Sequence, residues 1–136
     1  MARLLAILLL NLGLWSGCAG SDSYLLIGGA EAASTAGVLE VTRGNSSTGV
    51  EIHLEFLPAP SQRQPDLTHY VVWFLKPEGQ AIRAGLLTYE PRTREGNATF
   101  SGPPAPFELL ITAEHGDSPA KPSEDRVLVE EVPADS

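Results

Sequence analysis

The chain carries one cysteine, Cys18, and one methionine, Met1, among its 136 residues. No disulfide can form within it, and metal centres built on thiolate or thioether ligands lack their donors. Aromatic residues are sparse at 7%, and no cluster of them marks a stacking surface. Positive charge is scarce too: 9 Lys and Arg stand against 17 Asp and Glu, a net charge of −8. A surface this acidic repels phosphate backbones and anionic headgroups, so nucleic acid is not an expected partner. No run reaches the roughly 20 apolar residues that carry a helix across a bilayer.

What is present begins with an export signal. Met1-Ala2-Arg3 is a short positive start, residues 4–15 are apolar apart from Asn11 and Gly13, and the small residues Ser16 and Gly17 precede Cys18. Charged, apolar and small-residue zones in that order describe a cleaved targeting segment. A lone thiol in an exported chain is a liability unless it is used. The stretch Leu14-Trp15-Ser16-Gly17-Cys18 resembles the lipobox of bacterial lipoproteins, with Trp15 where an aliphatic residue is usual. That resemblance implies acylation of Cys18, cleavage just before it, and membrane attachment through the acyl chains. Each buried methylene contributes about 0.8 kcal/mol, so two or three chains anchor stably where one does not. Ala19 after the cysteine, by the same resemblance, favours an outer-membrane, periplasm-facing address in the cell envelope.

The expected organisation is a signal peptide over 1–17, an acylated tether over 18–35, a β domain over 36–132 and a tail over 133–136. Within the tether, Tyr24-Leu25-Leu26-Ile27 reads either as linker or as a first edge strand. Beyond it the periods are those of strands. Val50, Ile52, Leu54 and Phe56 alternate with Glu51, His53 and Glu55, the pattern of a strand with one wet face. Residues 38–43 precede it, and 70–75 are apolar throughout, as in a strand covered on both sides. Residues 82–89, 98–100, 107–114 and 126–132 supply the others, with Phe107, Leu109, Ile111 and Ala113 expected inward. Lys76-Pro77-Glu78-Gly79 has type I turn chemistry. Eleven prolines and the absence of a 3.6-residue apolar stripe disfavour helices. About seven short strands in this length predict an all-β fold, an Ig-like antiparallel β-sandwich with Trp73 as a core tryptophan; a small closed barrel is the alternative.

The pattern Tyr70-Val71-Val72-Trp73, Pro77-Glu78-Gly79, Ala84-Gly85-Leu86-Leu87 and residues 107–114 resembles the extracytoplasmic C-terminal domain of anti-sigma-K-type anti-sigma factors and related exported bacterial proteins. The resemblance lies in packing motifs and implies the sandwich fold. Sigma-factor binding, which in that family belongs to a cytoplasmic segment, is not expected from this resemblance.

Signatures of catalysis are missing. There is no Gly-x-Ser-x-Gly elbow, phosphate loop or dinucleotide glycine pattern. His53, His69 and His115 lack the close spacing of a zinc motif and read as surface residues. Glu51, Glu55, Glu108 and Glu114 read as solvated charge, and Asn45-Ser46-Ser47 and Asn97-Ala98-Thr99 as turns. Neither a metal nor another cofactor is expected. The sequence therefore predicts a non-enzymatic, lipid-anchored envelope module that binds another envelope protein, with contacts sought in 44–49, 58–66 and 115–125. A carbohydrate-binding or sensing module using Tyr24, Tyr70 and Tyr89, secreted if not acylated, is the alternative.

Overall fold

A computed structural model describes residues 21–134. Leu14, Trp15, Ser16, Gly17 and Cys18, the lipidation motif, lie outside the described residues. The strands are β1 (Ser21–Ile27), β2 (Ala36–Arg43), β3 (Thr48–Glu55), β4 (His69–Leu75), β5 (Ala81–Leu86), β6 (Thr88–Glu90), β7 (Glu95–Gly102), β8 (Phe107–Glu114) and β9 (Arg126–Val132). A single helical turn, α1 (Pro60–Arg63), and a 3-10 turn at Ala30–Ala32 interrupt the connections. Every pairing is antiparallel, in a five-stranded sheet ordered β1-β2-β3-β7-β6 and a four-stranded sheet ordered β5-β4-β8-β9. The fold is an all-β antiparallel sandwich.

Alternation builds the layer between the sheets. Leu39 and Val41 of β2, Val50, Ile52 and Leu54 of β3, and Tyr70, Val72 and Phe74 of β4 are all buried in it. Phe107, Leu109, Ile111 and Ala113 of β8 lie there as expected. Phe74 and Phe107 meet edge to face at 5.1 Å between centroids, the arrangement favoured by ring quadrupoles. Gly102 permits this: a Cβ there would fall 2.5 Å from the Phe74 ring.

Two differences from the expected seven strands have clear causes. Tyr24-Leu25-Leu26-Ile27, open between linker and strand, is edge strand, because β1 pairs with β2 from Ser21–Thr42 to Ile27–Ala36. Residues 82–89, expected as one strand, are two. The chain stays extended but passes from one sheet to the other at Leu87, whose N–H still donates to Tyr70 O at 3.0 Å. Strands that change sheets do so at bends or bulges. Here β4 carries a register shift between Val72 and Trp73, and Gly85 opposite takes φ +151°.

Trp73 is buried, but on the other side of β4 from the core it was expected to join. With Val71 and Leu110 it forms a second, smaller cluster on the outer face of the four-stranded sheet. The all-apolar run of β4 thus reflects burial on both faces.

The sandwich has two distinct ends. The chain enters at Ser21, beside the β2–β3 turn (44–47), the β4–β5 turn (76–80) and the end of β9. The last is tied in by Arg43, which donates to Asp22, to the Tyr24 hydroxyl and to Pro133 O. The opposite, distal end carries residues 56–68, the β6–β7 turn and residues 115–125.

Candidate functional site

Of the three segments singled out for contacts, residues 44–49 lie at the entry end, while 58–66 and 115–125 meet at the distal end. Their meeting rests on a buried ion pair. Arg63 donates from Nη2 and Nε to Asp125 Oδ1 at 2.8 and 3.1 Å, with side chains 6% and 15% exposed. Gln64 Nε2 donates to Asp125 Oδ2 at 3.2 Å, and Arg63 Nη2 also reaches Arg126 O. Thr68 donates to His115 O, and His115 Nδ1 lies 3.3 Å from Asp66 Oδ2. Between the loops is an open cleft of about 390 Å3 lined by Arg63, Gln64, His115 and Glu124, among others.

The turn that presents Arg63 is locally specified. Pro60 opens α1 with its fixed φ, and the Ala59 N–H donates to Gln62 Oε1 at 3.2 Å, satisfying an end donor. The Tyr70 hydroxyl donates to Pro58 O, and the Tyr89 hydroxyl to Leu57 O at 2.7 Å. Burial raises the pKa of both phenols above the usual 10, so they remain donors at physiological pH.

Residues 115–125 are fastened by a carboxylate assigned in the sequence to solvated charge. Glu114 is 4% exposed. Its Oε2 accepts from Thr112 Oγ1 at 2.6 Å and from the Ser123 N–H at 2.9 Å, and Thr112 Oγ1 accepts from Trp73 Nε1 at 2.9 Å. Ser123 Oγ donates to Ala113 O, and Arg83 reaches Pro119 O from β5. The segment is therefore a strap across the second cluster, held at both ends.

Phe56 departs most from its expected place. The alternation of β3 assigned it inward, but β3 ends at Glu55 and Phe56 takes φ 58°. A left-handed conformation is uncommon for a bulky residue. Its carbonyl accepts from Thr35 Oγ1 at 2.8 Å, and its side chain turns outward to 58% exposure. Leu25, Ile27 and Val38 are also exposed, and the registers Leu25–Val38 and Ile27–Ala36–Glu55 place them on the distal half of the same sheet.

The tyrosines do not form a common surface. Tyr70 is in the core, edge to face with Tyr89 at 5.9 Å, and Tyr24 is part-buried against Arg43 near the entry end. Asn97, expected in a turn, is on β7, opposite His53. Its Oδ1 lies 2.7 Å from His53 Nδ1, and Glu55 Oε2 is 3.3 Å from Nε2. The Asn97 bond, with support from Glu55 and Glu95, holds the His53 pKa above its ordinary 6.5. The favoured proton stabilises the fold below about 6.5, and that contribution is lost as pH rises through the raised value. An NMR titration gives a midpoint above 6.5 that falls in Asn97→Ala; a midpoint unmoved by that change contradicts the assignment.

Among the described residues, no helix is long and apolar enough to cross a membrane. No protein-family model matches this chain, and no curated protein matches it. The class its architecture defines is an antiparallel β-sandwich of five- and four-stranded sheets.

Proposed function

We propose that this protein is a lipid-anchored, non-catalytic module of the bacterial cell envelope that docks another envelope protein on its distal end. The reading takes Cys18 as the acylated residue and Leu14, Trp15, Ser16 and Gly17 as its processing motif. The observation that carries the docking is Phe56, an exposed aromatic in a backbone conformation that costs of order 1–3 kcal/mol. Buried aromatic anchors dominate the energetics of protein interfaces. Phe56 and the loops joined by Arg63 and Asp125 lie at the opposite end from Ser21, so an anchor preceding Ser21 leaves them directed away from the lipid.

The test is site-specific photo-crosslinking in intact cells from Phe56, from Ser61 on α1, and from Asn45 at the entry end. The expected result is one shared protein adduct from positions 56 and 61 and none from 45. Equal labelling from Asn45, or none from Phe56, contradicts the distal site. In a purified pair, Phe56→Gly relieves the left-handed strain, so it leaves folding stability within about 1 kcal/mol. The same change weakens partner binding by at least about tenfold, the loss of an aromatic anchor; unchanged affinity in this variant rules Phe56 out as the anchor.

A further inference from the structure

The outer face of the five-stranded sheet gathers negative charge. Glu40 stands directly opposite Glu51, and Glu90 opposite Glu95. Like charges in these positions destabilise a sheet. By strand alternation Glu55 and His53 share that face, and among the described strand residues there no Lys or Arg accompanies them. His53 and Glu55, two apart on β3, point to the same side, and the β3–β7 register brings Glu95 beside them. One donor atom from each of His53, Glu55 and Glu95 lies within 4.8 Å of the other two.

We propose that His53, Glu55 and Glu95 form a binding site for a divalent cation of the zinc class, with Asn97 as the residue that orients the histidine. Asn97 Oδ1 accepts from His53 Nδ1, so the proton sits on that nitrogen and the lone pair of Nε2 faces the two carboxylates. An oriented imidazole whose second nitrogen donates to a neighbour is the usual arrangement of a metal-ligating histidine. Tetrahedral zinc with bonds of about 2.0–2.2 Å holds its donors roughly 3.3–3.6 Å apart. The His53–Glu55 separation of 3.3 Å already meets this, and rotation of the glutamate side chains brings Glu95 into range. Three protein ligands leave a fourth position for water or a donor from another molecule. The cation neutralises the carboxylates across β3 and β7 and cross-links the two strands. The site is independent of the lipid anchor and of Phe56.

The experiment is calorimetric titration of the chelator-treated full-length protein with zinc chloride, on wild type and on variants that unfold at the wild-type temperature. One site is expected. Its affinity falls more than tenfold in His53→Ala and in Glu95→Gln, falls about tenfold in Asn97→Ala through lost orientation, and is unchanged in His115→Ala. The His115 control matters because that residue also pairs with a carboxylate, Asp66. No zinc binding by the wild type reduces the cluster to an ion pair and overturns the proposal. So does binding that survives His53→Ala, or that is lost in His115→Ala.

Discussion

Replacing Trp73 with alanine lowers stability by about 3–5 kcal/mol, the range for a fully buried large aromatic, and frees residues 115–125 from the sheet. The side chain is 1% exposed, and with Val71 and Leu110 it makes up the buried part of the outer cluster. Its indole N–H is also the first donor in the series Trp73–Thr112–Glu114–Ser123 that fastens the strap. Alanine removes the packing and that donor together. Trp73→Phe retains much of the apolar area and loses the donor, and costs about 1–3 kcal/mol. Urea unfolding measures both changes, and cleavage after the exposed Glu124 by a glutamate-specific protease reports the strap. Faster cleavage in Trp73→Ala at denaturant-free equilibrium, with the inter-sheet core still folded, is the expected result. A strap protected as in wild type shows that the cluster does not hold it.

The second large effect is at Asp125. Asp125→Ala costs about 3–5 kcal/mol, because it takes from the buried Arg63 guanidinium the carboxylate that accepts from both its Nε and its Nη2. Gln64 loses its acceptor in the same change. Replacing both partners, Arg63→Met with Asp125→Leu, recovers most of the loss, since an apolar pair needs no desolvated charge. The double-mutant cycle therefore yields a coupling energy well above the 0.2–1 kcal/mol of exposed pairs. Additive single effects contradict the view that this pair joins the two distal loops. The measurement also bears on binding: if the loops form one surface, Asp125→Ala alters crosslinking from Ser61 as well as stability.

Much of this fold was legible because strand alternation is local. The limits of β8 and β9 and the inward set Phe107, Leu109, Ile111 and Ala113 follow from a two-residue period. What escaped depended on the partner strand or on one dihedral angle. Trp73 lies mid-strand in an apolar run, and nothing in that run says which of two covered faces it takes. Residues 82–89 contain no turn chemistry, because a strand that changes sheets does not reverse direction; Gly85 was the one available sign. Phe56 continues the alternation of β3 by identity and breaks it by φ. Glu114 looks solvated until residues 115–125 fold over it.

The distal site was legible only in part. Residues 58–66 and 115–125 were recognisable as loops, but their junction joins Arg63 to Asp125, far apart in sequence. His53, Glu55 and Glu95 escaped for a similar reason. Spacing rules find metal ligands carried on one helix or loop, whereas these are assembled by β3–β7 pairing. The two-residue interval between His53 and Glu55 on an alternating strand was the signal within reach.

The proposed attachment of the sandwich to a lipid surface through Cys18 is tested by the intact mass of the N-terminal peptide from membrane-extracted protein. The expected peptide begins at Cys18 and carries the mass of two or three acyl chains. An unmodified peptide beginning at Ser21 or nearby contradicts it, and makes this a secreted sandwich whose partner is to be sought outside the cell.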